Sequence, residues 1–316
     1  MLACRARDAS RASLVCPPSV LPTCLSHVLR QRISSKKGKE RMATSVVVLS
    51  GKGGTAKTLW QLSLAGEASR AGIKTLLVDV DPERNLSNRF GISQHSTGLG
   101  NVLRAAGAGG EATDPEPGAK QLTSEIVPAG QNIDTSWPDV DLLPAGAELS
   151  GLSQVTIEDG WLLKDIFEAA GMWNRYQLIL FDTGGRRGSL VTQAMYASDV
   201  AYAPVAPSRD AVRKALEARS RVHTVQRSYP ELRWAGVVLS GFDLRVGIDQ
   251  AIREETVEAF GDEVRAEVPR RAVVHEAFQL CERLGDRPDV ASSGLAQVFA
   301  DFLRNDLMVP APAVQA

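Results

Sequence analysis

The chain predicts a doubly wound α/β domain, with a mostly parallel sheet and helices on both faces, from three observations. Six short apolar runs, near residues 45–50, 74–80, 140–144, 177–182, 199–205 and 234–240, are mostly uninterrupted, as in strands buried on both faces. Helical spacing of apolar residues separates them, the alternation from which parallel sheets are built. The first run also leads into a glycine-rich turn and then a helix, so the functional end should lie at the carboxyl ends of the strands.

Taken in order, residues 1–43 look foreign to this pattern. They hold nine Lys/Arg against two Asp/Glu, leaving 27 against 35 for residues 44–316, so the net charge of −1 hides two oppositely charged parts. Pro17-Pro18 and Pro22 spoil a secretory apolar core. The favoured expectation is a basic, disordered leader created by a start placed upstream of Met42; a nucleic-acid-touching tail and an organelle transit peptide are the alternatives. The folded domain is expected over 44–307, with residues 308–316 a flexible tail containing Pro310 and Pro312.

Ser45-Val46-Val47-Val48-Leu49 reads as the first strand and Thr58 to Ala71 as the first helix, joined by Ser50-Gly51-Lys52-Gly53-Gly54-Thr55-Ala56-Lys57. Small residues let backbone N–H groups close on phosphates, Lys57 can reach the outer phosphate oxygens, and the Thr58 hydroxyl can hold Mg²⁺ at a helix N-terminus. Ala56 stands where the last glycine of the usual G-x-x-x-x-G-K-[ST] pattern is expected. Lys52 has no task in that cradle, and the economical reading is a charge supplied across a dimer interface. Farther on, the stretch 104–138, rich in Gly, Ala, Pro and acids, reads as a loop insertion. The pattern from Ile157 to Phe167 reads as a core-packing helix, with a dimer contact as the alternative.

From these residues the chain resembles the ParA/MinD family of deviant Walker A ATPases, most closely the ParA-type partition proteins. Lys52 to Thr58 matches the family's K-G-G-x-x-K-[ST]. Asp79-Val80-Asp81-Pro82-Glu83-Arg84-Asn85 is similar to D-x-D-P-Q-x-N. The run Asp141 to Leu149, the strand Leu178 to Thr183, and Val237 to Asp243 with Val268-Pro269-Arg270 follow in family order. The resemblance covers about Thr44 to Leu307 and implies a Rossmann-like P-loop fold that hydrolyses ATP with Mg²⁺.

It further implies that Gly51, Gly53, Gly54, Thr55, Ala56, Lys57 and Thr58 cradle the phosphates, with Lys52 binding the nucleotide of the partner copy and Pro269 and Arg270 beside the base. By the same resemblance Thr58 and Asp182 hold the metal, Asp79 supports its shell, and Asp81 orients the attacking water. Three departures stand out: Glu83 for glutamine, Ala56 for glycine, and Gly184-Gly185 for two prolines. Glycines loosen a segment that prolines would stiffen, so hydrolysis rate carries over less directly than nucleotide binding.

The helix opened by Ser208 sets Val212, Ala215, Leu216, Ala218, Val222 and Val225 opposite Arg209, Arg213, Lys214, Arg221 and Arg227. That basic side could meet nonspecific DNA through phosphates, although Asp210 and Glu217 dilute it and a merely solvated face explains it equally well. Together these readings predict an ATP-dependent homodimer that partitions a plasmid or chromosome in the cytoplasm, associated with the nucleoid. A centromere-binding adaptor would stimulate hydrolysis. A non-DNA cargo and a metabolic ligase of the same fold are the alternatives.

Membrane docking is not expected. No stretch approaches the ~20 apolar residues of a span, and the last helix, Leu295 to Leu307, sets Asp301 and Asp306 against Arg304. Cys281, alone in the body, cannot form an internal disulfide there or hold an iron–sulfur cluster. His27, His95, His223 and His275 show no metal-ligand spacing.

Overall fold

The computed structural model describes residues 43–49, 56–93, 96–110, 112–152, 159–185, 188–291 and 294–307. Within them, eight strands form one sheet: β1 (Thr44–Val48), β2 (Thr75–Val80), β3 (Val127–Pro128), β4 (Val140–Leu143), β5 (Leu178–Thr183), β6 (Val200–Val205), β7 (Arg233–Phe242) and β8 (Val264–Pro269). Their order across the sheet is β3-β4-β2-β5-β1-β6-β7-β8. Every pairing is parallel except that of β3 with β4.

The six predicted strands appear within a few residues of their expected limits, because the side chains of β2, β5 and β6 are buried throughout and need an apolar run. The two missed strands lie at the margins. β3 is two residues long and ends in Pro128, while β8 alternates, with Arg265 and Glu267 set between Val264, Ala266 and the buried Val268. Short or alternating edge strands do not produce the continuous apolar signature.

Residues 104–138 are not the loop insertion that their composition suggests. They include the helix Pro115–Glu125 as well as β3. The Asp114 side chain accepts from the Glu116 N–H and Pro115 occupies the first turn, where its missing N–H costs nothing. Gly118 lies in that helix because an added Cβ would come within 2.8 Å of the Val102 carbonyl oxygen.

Helices cover both faces. We label those used below α1 (Lys57–Arg70), α2 (Asn85–Arg89), α3 (Leu162–Ala169), α4 (Arg209–Gln226), α5 (Gly247–Phe260) and α6 (Leu295–Asn305). On one face α1 and α6 pack together, with the Trp60 ring 4.6 Å from Phe299 and 5.7 Å from Phe302, centroid to centroid. Aromatic edges meeting at such distances add roughly 1 kcal/mol per pair beyond area burial. On the other face α3 buries Leu162, Leu163, Ile166 and Phe167, the core-packing role expected for the pattern from Ile157 to Phe167, of which Ile157 and Glu158 lie outside the described residues.

This order sets β2, β5 and β1 side by side, so the segments leaving their carboxyl ends converge. Asp79 lies opposite Asp182 in the β2–β5 register. Two buried hydrogen bonds secure the junction: Thr183 Oγ1 donates to the Val48 carbonyl at 2.6 Å, and Gln61 Nε2 of α1 donates to the Phe181 carbonyl at 2.8 Å.

Candidate nucleotide and metal site

The first helix starts at Lys57, directly after Ala56, which has a left-handed φ of 63°. That conformation is why a glycine is expected there, since an L-residue carries a Cβ penalty of roughly 1–2 kcal/mol in it. The Ala56 carbonyl nevertheless accepts from Trp60 N–H at 2.9 Å and closes the first turn. Gly51, Lys52, Gly53, Gly54 and Thr55 lie outside the described residues, as do 1–42 and 308–316.

Thr58 Oγ1 donates to Asp182 Oδ2 at 2.7 Å, joining the head of α1 to the end of β5. Asp182 Oδ1 is buried and without a hydrogen-bond partner among the described residues. Burial, followed by the charge of Asp79, pushes the Asp182 carboxyl up to about 8, against the pull of Thr58 and Lys57. Burial likewise lowers Lys57, opposed by the charges of Asp182, Asp81 and Glu83. An unpaired carboxylate oxygen beside a threonine hydroxyl is a hard-oxygen donor set, and it fits Mg²⁺. A cation there would favour the ionised form of Asp182.

Asp79, expected to support the metal shell, has both carboxylate oxygens engaged by its own neighbours. Oδ2 accepts from the Ser87 N–H at 2.8 Å and the Ser87 hydroxyl at 2.6 Å, while Oδ1 accepts from the Asp81 N–H at 3.0 Å. Burial still pushes it up to about 7. Asp79 therefore braces the end of β2 and adds negative charge behind Asp182. Ser87, which also accepts from the Ala145 N–H at 3.0 Å, had no signal in the sequence. It lies eight residues from its partner, and only the fold brings them together.

Beside α1, a cleft of about 530 Å³ is lined by Ala56, Leu59, Pro207, Ser240, Pro269 and Arg270 among others. The Arg270 N–H donates to the Phe242 carbonyl at 2.8 Å, tying the chain after β8 to the end of β7. The expected base-side residues Pro269 and Arg270 thus share one cavity with the end of the phosphate loop. Arg271 and His275 line it too, and no motif had marked them.

The basic helix forms as predicted, with Ser208 Oγ accepting from the Ala211 N–H at 3.2 Å. Its cations are less available than the sequence pattern suggests. Arg213 is bonded to Asp210 and, at 2.9 Å, to Glu217; Lys214 reaches Glu217 at 3.1 Å and Arg209 reaches Glu255 at 3.5 Å. Arg221 and Arg227 share the helix, Arg227 as its C-cap. Exposed pairs of this kind are worth about 0–1 kcal/mol, so a polyanion can still compete for them. No described helix is long and apolar enough to cross a membrane.

Comparison with known proteins agrees with this geometry. Residues 43–232 match the AAA domain family AAA_31. The chain is 30% identical over 233 residues, 72% of this chain and 80% of the relative, to the chromosome partitioning protein ParA of Caulobacter vibrioides. Among solved structures, an ATP complex of a McdA variant from Cyanothece superposes with a TM-score of 0.66 at 15% identity, covering 87% of this chain and all of that one. The Mg-ADP complex of the septum site-determining protein MinD from Pyrococcus horikoshii gives 0.61 at 22% identity, covering 84% and 98%. At those identities the structures speak to the fold.

Proposed function

Because the chain belongs to the ParA/MinD-type P-loop ATPases and hydrolyses ATP with Mg²⁺, we propose that it is a DNA-partition ATPase that works as an ATP-dependent dimerising switch. The Thr58–Asp182 pair at the head of α1, with the unpaired Asp182 Oδ1 beside it, carries this reading. Thr58 and Asp182 would hold Mg²⁺, which when bound would supply the positive charge that phosphoryl transfer demands on the phosphate oxygens. Lys57 adds a cation at the helix N-terminus. Asp81, at the end of β2, orients the attacking water. Lys52 enters the partner copy's site when two ATP-loaded subunits close, so that hydrolysis reports dimerisation.

In this reading the dimer is retained on nonspecific DNA through phosphates, in the cytoplasm and associated with the nucleoid, and a centromere-binding adaptor accelerates hydrolysis to release it. A non-DNA cargo is the second reading, favoured by the acidic partners that Arg209, Arg213 and Lys214 already have. Turnover and DNA retention measured with and without ATP, at low and high salt, separate the two. Retention that needs ATP and falls steeply with salt supports DNA partitioning; retention indifferent to both rejects it.

A further inference from the structure

Asp81 and Gly184 each follow directly after a residue of the Val80–Thr183 register pair, at the ends of the adjacent strands β2 and β5. A Cβ built on Gly184 would lie 2.6 Å from Asp81 Oδ1 and 3.2 Å from its carboxyl carbon. The carboxylate thus rests where any side chain at 184 would be. Gly184 has no positive φ, so its backbone does not require glycine; it is the resting position of the Asp81 carboxylate that leaves no room for a Cβ.

Two donors hold the group there. The Glu83 N–H donates to Oδ1 at 3.0 Å and the Asn85 amide donates to Oδ2 at 2.8 Å. The intervening turn is itself fixed, since the Arg84 N–H donates to the Asp81 carbonyl at 2.8 Å. Arg84 takes a left-handed φ of 60° and its guanidinium bonds to the Ile92 and Ser93 carbonyls. Asp81 is left 5% exposed. Both carboxylate oxygens are therefore engaged in hydrogen bonds within the same turn.

We infer that Gly184 is a positioning residue for hydrolysis: it provides the bare backbone against which Asp81 is latched in a resting position, from which the carboxylate must turn out to act. The inference rests on the reading that Asp81 orients the attacking water. Its consequence is a low basal turnover set by the latch, and a partner that moves the end of β5 away from Asp81 would raise it.

The test compares wild type, Gly184→Ala, Asp81→Ala and the double variant in ATP turnover, affinity for a fluorescent ATP analogue with Mg²⁺, and crystal structures of the nucleotide-free proteins. An added Cβ forces the carboxylate off its two donors. Losing a latch of about one net hydrogen bond should raise basal turnover about five- to tenfold. Analogue affinity should stay unchanged, the crystal structure should show Asp81 rotated, and the double variant should gain nothing over Asp81→Ala.

Asn85→Ala removes the donor to Oδ2 at an exposed position and should act in the same direction, including if Gly184→Ala fails to fold. Turnover in the single variants that is equal to or below wild type, with Asp81 displaced and Asp81→Ala inactive, overturns the latch but leaves the role of Asp81 standing. Wild-type turnover in Asp81→Ala overturns that role and with it the latch.

Discussion

Removing the carboxylate of Asp182 should change how the nucleotide-free protein responds to pH. In the native state Asp79 is raised to about 7 and Asp182 to about 8, from ordinary values of 3.8 for each. Between about pH 4 and 7 the native protein therefore holds protons that the unfolded chain has released, and stability falls as pH rises. Below about pH 4 both states are protonated and the stability is fully present; above about pH 8 both carboxylates are ionised and the loss is complete.

One retained proton corresponds to about 1.4 kcal/mol per pH unit. From pH 5 to 7 that is about 3 kcal/mol for one proton shared by the facing pair and about 5 kcal/mol for two. At this chain length the smaller figure lowers the melting temperature by about 6–10 °C. Calorimetry in EDTA at pH 5, 6 and 7 reads the slope. Asp182→Asn should remove one proton's share of it, and Mg²⁺-ATP should reduce it in wild type by keeping Asp182 ionised. A melting temperature that is flat or rising with pH in wild type, or a slope unchanged in Asp182→Asn, refutes the reasoning.

Ala56→Gly should relieve left-handed strain of roughly 1 kcal/mol, less the entropy that glycine adds to the unfolded chain, for a net gain of about 0.5 kcal/mol in urea denaturation. Ser87→Ala strips Asp79 of a hydroxyl donor and the Ala145 N–H of its acceptor; a loss of about 2 kcal/mol by the same assay is expected, and a change under 0.5 would contradict the bracing role. Lys52→Ala should keep nucleotide affinity while losing hydrolysis or the ATP-dependent dimer in size-exclusion chromatography. Unchanged turnover in that variant removes the trans-acting lysine.

What could be read in the chain was governed by burial. β2, β5 and β6 have no exposed face, so their apolar runs announced them, whereas β8 alternates and β3 is too short to have a pattern. Asp114-Pro115 was a legible helix start inside 104–138, but composition outweighed it. At the site, Thr58, Asp81, Asp182, Pro269 and Arg270 lie in recognisable runs; Thr58 meets Asp182, and Pro269 and Arg270 line a cleft together with Ala56. The engagement of Asp79 with Ser87, and the close approach of Asp81 to Gly184, depend on distances between segments. No spacing along one chain encodes those distances.

The two margins of the sheet bear on how copies of the protein can meet. Pro128 deprives β3 of an N–H at one edge, and at the other Arg265 and Glu267 of β8 are tied to Asp306 and Arg253. Extending the sheet from one molecule into the next is thereby discouraged at both ends. The dimer proposed above is then directed to side-chain surfaces, which a bound nucleotide can make or unmake, rather than to a backbone ladder that would not respond to it.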